Sequence, residues 1–203
     1  MKKSICLFLL VFTSVAFSQN NDTTETKKAE LEFKVNARFQ LLYPIQFGNT
    51  ALAKAHEARP GISAQMNLLD YQHFKAGFGF DFVTYDITDQ QVIANLSTSK
   101  YTSAYFLLSY EYKLTDKIMI TPNFGYGSGS LELGSRSSRF GKQHGKELRI
   151  GGIIDYKIGK STYVFFGLNY INNRFSVQTA PEYKSFFSKA NQIQLSAGIR
   201  FGN

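Results

Sequence analysis

The chain lacks tryptophan, has a single cysteine, and contains no apolar run long enough to cross a bilayer as a helix. Each absence removes a class of protein. Cys6, the only cysteine, falls in the N-terminal apolar stretch, so no disulfide framework and no thiol chemistry is expected of the rest. The longest apolar stretch, Ile5–Phe17, falls short of the roughly 20 residues a spanning helix needs. Histidine is limited to His56, His73 and His144, and no His/Cys/Asp/Glu spacing suggests a metal site or a bound cofactor. If the chain spans a membrane, only a β-barrel remains, a fold whose average hydropathy looks soluble. The mean hydropathy here is slightly negative.

What is present begins with an export signal. Met1–Lys2–Lys3 and the apolar Ile5–Phe12 form a charged and then a hydrophobic region, and Ala16–Phe17–Ser18 supplies small residues before a cut. Residues 1–18 are therefore read as a signal peptide and residues 19–30, polar and aperiodic, as a flexible periplasmic leader. Losing Lys2 and Lys3 lowers the formal net charge from +8 to +6. A secreted basic chain is expected to meet anionic lipid headgroups, and no nucleic acid.

From residue 31 to 203 the chain alternates with period 2, the signature of strands with one apolar and one polar face. The last strand is the plainest case. Ile193, Leu195, Ala197, Ile199 and Phe201 share one face, and Gln192, Gln194, Ser196, Gly198 and Arg200 the other. The first, about Leu31–Tyr43, sets Phe33, Val35, Ala37, Phe39, Leu41 and Tyr43 against Glu32, Lys34, Asn36, Arg38 and Gln40. Five consecutive polar inward positions, three of them charged, do not fit a soluble apolar core.

Further strands are expected over about 61–70, 74–83, 102–113, 118–127, 147–157 and 163–171, which makes eight. Pro44 is read as ending the first, and Pro122 as an irregularity in the fifth. The seventh has the least polar inward face, with Tyr163, Phe165 and Ile171. Connections alternate long and short, with 128–145 read as a Gly/Ser/Arg-rich loop. Short turns on one side and long loops on the other are the asymmetry of an outer-membrane barrel, with the 12 Tyr and 19 Phe available for its aromatic girdles. The fold class expected is all-β: an eight-stranded antiparallel up-and-down transmembrane barrel, in the outer membrane of a Gram-negative-type bacterium.

In this patterning, from Leu31 to Phe201, the chain resembles the small eight-stranded outer-membrane barrels of the OmpA transmembrane-domain and OmpX type. The resemblance implies architecture only. It also implies that Phe201, an aromatic near the end of the last strand, is read by the barrel-assembly machinery during biogenesis. Some barrels of this size modify lipid A, which would need a His beside a Ser and a carboxylate. All three histidines are assigned to loops or turns, so no catalytic residue is expected.

An eight-stranded barrel is just wide enough for side chains to fill it, and buried charges there must pair. The expected interior network is Glu32, Lys34, Arg38, Lys75, Asp81, Glu111, Arg149, Asp155 and Arg200. Topology pairs Lys75 with Glu111, equidistant from the loop between strands three and four, and Glu32 with Arg200 across the closing seam. The most basic loop carries Arg136, Arg139, Lys142 and Lys146, which could clamp phosphates of lipopolysaccharide or simply be solvated. The expected function is non-enzymatic, structural or surface-interacting, in a monomer. A narrow channel or small-solute transporter is the alternative. A lipid A-modifying enzyme and a soluble lipocalin-like carrier stand further off; the carrier would need an apolar lumen, which the first strand's inward face opposes.

Overall fold

The computed structural model describes residues 30–93, 96–135 and 139–202. The stretch read above as a signal peptide, most of that read as a leader, and Arg136 lie outside the described residues. Eight long strands close into one antiparallel barrel: β1 (Glu32–Phe47), β2 (Gly61–Tyr71), β3 (Phe74–Ile87), β4 (Thr98–Tyr110), β5 (Ile118–Gly134), β6 (Arg139–Lys157), β7 (Thr162–Phe175) and β8 (Lys189–Phe201). Each pairs with its sequence neighbours, and β1 meets β8 from Ala37↔Phe201 to Phe47↔Asn191, so the sheet has no edge. Among the described residues no helix is long and apolar enough to cross a membrane.

The alternation turns the barrel inside out relative to a soluble protein. Phe33, Leu41 and Phe166 are more than 60 % exposed on the outside. Arg38, Arg149 and Arg200 are at most 1 % exposed within. A water-facing surface would not sustain an apolar belt of this extent.

One end of the barrel holds both termini and three short turns; we call it the terminal end. In the β2–β3 turn Gln72 and His73 both take positive φ, 49° and 79°, the handedness that suits a tight hairpin. The opposite, loop end carries the helices α1 (Ala51–Ala55), α2 (Gln90–Ile93) and α3 (Pro181–Ser188). The Thr50 hydroxyl caps α1 by accepting from the Ala53 amide at 3.3 Å, and a short strand, His56–Ala58, brings the chain back along β3.

Several strand ends reach beyond the sequence reading: β1 runs to Phe47, β3 to Ile87 and β7 to Phe175, β4 begins at Thr98, and β5 and β6 extend into 128–145. Pro44 does not end β1. The last β1–β2 pair is Leu42↔Gly61, so at Pro44 the β2 side of the strand carries no ladder pair and the missing N–H costs little. Pro122 likewise lies beyond the last β4–β5 pair, Ser109↔Asn123, and before Tyr112↔Ile120. Residues 128–145 are mostly not a loop: β5 and β6 remain paired from Ser128↔Lys146 to Gly134↔Arg139. Inward Leu131, 5 % exposed, anchors this hairpin and overrides the weak strand preference of its Gly and Ser residues.

Candidate functional site: a stacked interior plug and its rim

The interior is filled in three layers. Nearest the terminal end, Lys75 Nζ lies 2.8 Å from Asp70 Oδ2 and 3.4 Å from Glu111 Oε2. Arg200 Nη1 lies 2.6 Å from Glu111 Oε1 and 3.7 Å from Asp155 Oδ2. Arg38 Nη2 donates to Asp155 Oδ2 at 3.1 Å, and Thr121 Oγ1 donates to the same oxygen. The inward aromatics of β7 serve the same cations. Arg200 lies over the Tyr163 ring at 4.8 Å and Arg38 over Phe165 at 5.8 Å, so an apolar-looking face becomes a pair of cation–π platforms.

The middle layer centres on Arg149. Its Nη2 donates to Asp81 Oδ2 at 2.6 Å and to Glu147 Oε1 at 2.7 Å, while Nη1 reaches Gln194 Oε1 at 3.2 Å. The guanidinium stacks 3.7 Å from the centroid of the Tyr105 ring, whose hydroxyl donates to Asp81 Oδ1. Glu147 and Asp81 are both fully buried, so this one cation serves two carboxylates. Above it, the Tyr101 hydroxyl donates to Glu147, and the Tyr85 hydroxyl donates to Gln192 Oε1 at 3.2 Å.

The layer at the loop end is apolar: Leu42, Leu52, Val83, Tyr85, Tyr101, Leu131, Phe175 and Ala190 form one buried cluster. Leu52 comes from α1, which sits in the mouth of the barrel as a cork.

Bonds run across the lumen at each height. Arg38–Asp155 joins β1 to β6, Arg149–Asp81 joins β6 to β3, Tyr85–Gln192 joins β3 to β8, and Tyr101–Asn173 joins β4 to β7. In each case two strands intervene the short way round, so these contacts are struts across the bore.

Of the residues read as interior from the sequence, Arg38, Lys75, Asp81, Glu111, Arg149, Asp155 and Arg200 face the lumen, and Lys75 meets Glu111. Glu32 and Lys34 do not. They pair with each other, about half exposed, because Phe201 aligns with Ala37 and the start of β1 projects below the closing seam. Arg200 consequently meets Glu111 and Asp155 in place of Glu32. Glu147, Tyr101, Tyr105 and the cork were absent from the sequence-based set. Glu147 could have been found, since it shares the inward face of β6 with Arg149; the long reach of the two tyrosines has no sequence signal.

On the outside at the loop end, a basic row crosses three strands. Lys146 on β6 is in direct register with Arg174 on β7, which is in register with Lys189 on β8. All three are exposed, and among the described residues none has an ion-pair partner. One step toward the apolar belt, Asn172 Nδ2 and the Tyr170 hydroxyl both donate to Asn191 Oδ1. Lys142 is exposed on the β5–β6 hairpin, in register with Glu132. Nothing is described for Arg136 or for the Arg139 side chain.

The histidines are scattered. His73 is in the β2–β3 turn, and His56 follows α1. His144 lies on the outer face of β6 opposite Ser130, whose hydroxyl is 2.7 Å from Thr102 Oγ1. No Ser–His hydrogen bond occurs among the described residues. No group of three or more metal-ligating side chains occurs among them either.

No protein-family model matches the chain, and no curated protein matches it. Solved structures do. Neisserial surface protein A superimposes with a TM-score of 0.55 at 13 % identity, covering 86 % of this chain and 99 % of that one. The outer-membrane protein OprG of Pseudomonas aeruginosa gives 0.50 at 12 % identity, with 86 % and 98 % covered. A major outer-membrane protein of Thermus thermophilus gives 0.50 at 12 %, with 84 % and 100 % covered. At these identities the likeness is one of fold: the chain has the fold of the small eight-stranded outer-membrane β-barrels.

Proposed function

We propose that this chain is a non-enzymatic outer-membrane barrel with a closed interior, acting at the cell surface. The proposal includes export with loss of residues 1–18, both termini in the periplasm, and the loop end outside. The observation that carries the closed reading is the set of struts across the lumen, led by Arg149 held between Asp81 and Glu147. A hydrated ion would have to displace ion pairs at two heights and then pass an apolar cork. The test is single-channel recording of the full chain in planar bilayers. No stepwise conductance is expected, and reproducible ion-selective openings of the unmodified protein would overturn the closed reading in favour of a narrow channel.

The surface reading rests on the basic row. Like charges directly opposite one another on neighbouring strands are destabilising unless a counter-charge joins them. Lys146, Arg174 and Lys189 stand one step beyond the Asn/Tyr edge of the apolar belt, the height at which outer-leaflet phosphates would lie. We assign lipopolysaccharide phosphate contact to this row, with Lys142 beside it and Arg136 and Arg139, near Lys142 in the sequence, as further candidates. The experiment compares the thermal midpoint in lipopolysaccharide-containing and phosphatidylcholine bilayers. The unmodified protein should gain stability from lipopolysaccharide, and the triple change Lys146→Gln, Arg174→Gln, Lys189→Gln should remove that gain. A gain retained by the triple variant would end this assignment.

A further inference from the structure

A groove crosses the outer face of the barrel. Two hollows, of about 920 and 270 Å³, meet at Phe80, Thr102 and Ser103. Their common floor is the backbone of one row of inward-facing residues in continuous register. It runs from Gly198 on β8 through Gln40, Ser63, Asp81 and Ser103 to Gly129 on β5. Register rows are not level in this barrel. Followed from Ala37 on β1 through β2 and on to β8, the register returns to β1 at Phe47, nearer the loop end. The groove therefore descends from β5 toward β1 and β8. Its deep end is walled by Phe39, Leu41, Ile62 and Phe82. Its upper end is polar, with Thr102, Ser128, Ser130 and His144, and Lys146 of the basic row stands next to Ser128 in register.

The two ends differ in what they can hold. The Thr102 and Ser130 hydroxyls are 2.7 Å apart, and their mutual bond uses one of their two hydrogens. The other is left for an acceptor outside the chain, and a hydroxyl facing hydrocarbon without one is costly. The deep end offers only apolar contact. Length fixes the scale: five strand steps of about 4.8 Å make a floor about 24 Å long, which at a strand tilt of about 40° descends roughly 15 Å, half a hydrocarbon core. A phosphate-binding cation, a hydroxyl donor and an apolar channel thus follow one another in the order of a lipid's phosphate, ester carbonyl and chain, over the depth of one leaflet. We propose that the groove seats one acyl chain of the lipopolysaccharide molecule whose phosphate the basic row binds. Lys146 holds the phosphate, the Thr102–Ser130 pair donates to an ester carbonyl, and the chain lies between Phe80 and Phe82 toward Phe39. This inference rests on the lipopolysaccharide reading above and adds the seat of the chain. The lipid is gripped diagonally across the strands; it does not hang straight down β6 from Lys146 past Ile150.

The test exploits the lack of tryptophan in the chain. Phe80→Trp places a single fluorescent reporter on the groove wall, and Ile150→Trp places one on the exposed face of β6, outside the groove. Each full chain is put in bilayers of phosphatidylcholine with brominated acyl chains, which quench both reporters. Unbrominated lipid A, or its dephosphorylated form, is then added. Lipid A should restore the Phe80→Trp emission at a mole fraction about tenfold lower than dilution of the quencher alone requires, and the dephosphorylated form should not. Adding Ser128→Phe, which fills the upper hollow, should return the Phe80→Trp curve to simple dilution and leave the Ile150→Trp curve unchanged. Heat-dependent gel mobility confirms that the double variant is folded. Simple dilution at Phe80→Trp with early recovery at Ile150→Trp would overturn the groove and leave the phosphate reading standing. Simple dilution at both reporters would remove the two together. Early recovery at Phe80→Trp that survives Ser128→Phe, or that dephosphorylated lipid A gives equally, would also overturn the proposal.

Discussion

Arg149 is the residue on which the interior depends most. It is fully buried, and so are both carboxylates it neutralises, Asp81 and Glu147. Removing the cation leaves two uncompensated charges in a closed space, a loss of about 3–5 kcal/mol or more. Arg149→Met, which keeps much of the volume, should therefore lower barrel stability by at least that much in urea titrations. Asp81→Asn in the same background should recover part of the loss, because it removes one of the stranded charges. Equal stability of Arg149→Met and the unmodified protein would show that the lumen is wet enough to solvate carboxylates.

At the loop end the relevant residue is His56. Its folded pKa lies below 6.5, so the unfolded or opened cap binds the proton more readily. The stability of the cap is complete above about pH 6.5 and declines as pH falls from there toward the depressed folded value. Amide exchange of residues 51–55, measured at pH 7.5 and 5.0 and corrected for the intrinsic rate, should show weaker protection at the lower pH. His56→Phe should flatten that difference.

Among the elements, β3 and β4 show how closely the layers are fitted. A Cβ at Gly79 would stand 2.4 Å from the Tyr105 ring, the ring on which Arg149 stacks. Gly79→Ala should displace Tyr105 and loosen the Asp81–Arg149 contact, costing about 1–3 kcal/mol by overpacking; Tyr105→Leu in the same chain should restore some of it. The elements also mark what the sequence disclosed. The eight strands and their inward and outward faces were legible because period 2 is a local property of each segment. Lys75–Glu111 followed from counting along one hairpin. Glu32–Arg200 did not, because the stagger of the closing seam is a property of the whole sheet, and it moves the partner of Phe201 to Ala37. Residues 128–145 read as a loop because Gly and Ser hide an alternation that cross-strand pairing and Leu131 enforce. The cork leaves no sequence signal for a related reason: Ala51–Ala55 is too short for a helical period, and its burial depends on a mouth built by eight distant strands.

For the whole molecule, the closed reading proposed above rests on two barriers of different physics in series. The lower part of the bore is blocked by charge pairs, which a hydrated ion could replace once a partner is removed. The upper part is blocked by Leu42, Leu52, Val83, Leu131 and Phe175, which exclude an ion because its hydration shell finds no replacement there. Barriers in series must both be lowered before current flows. Replacing Arg149 and Asp81 together by Ala should leave the bilayer silent, since the apolar layer remains. Replacing residues 49–57 by a short Gly/Ser linker should also leave it silent, since Arg38–Asp155 and Arg149–Asp81 still cross the bore. Combining the two changes and also replacing Arg38 and Asp155 by Ala, so that neither ion-pair strut is left across the bore, should produce measurable steps, provided the protein still shows heat-dependent mobility on gels. Conductance from the linker replacement alone would mean that the charge layers are permeable and that the cork is the gate. Conductance from the Arg149/Asp81 pair alone would place the barrier entirely in the ion pairs and leave the apolar layer as packing for the loops.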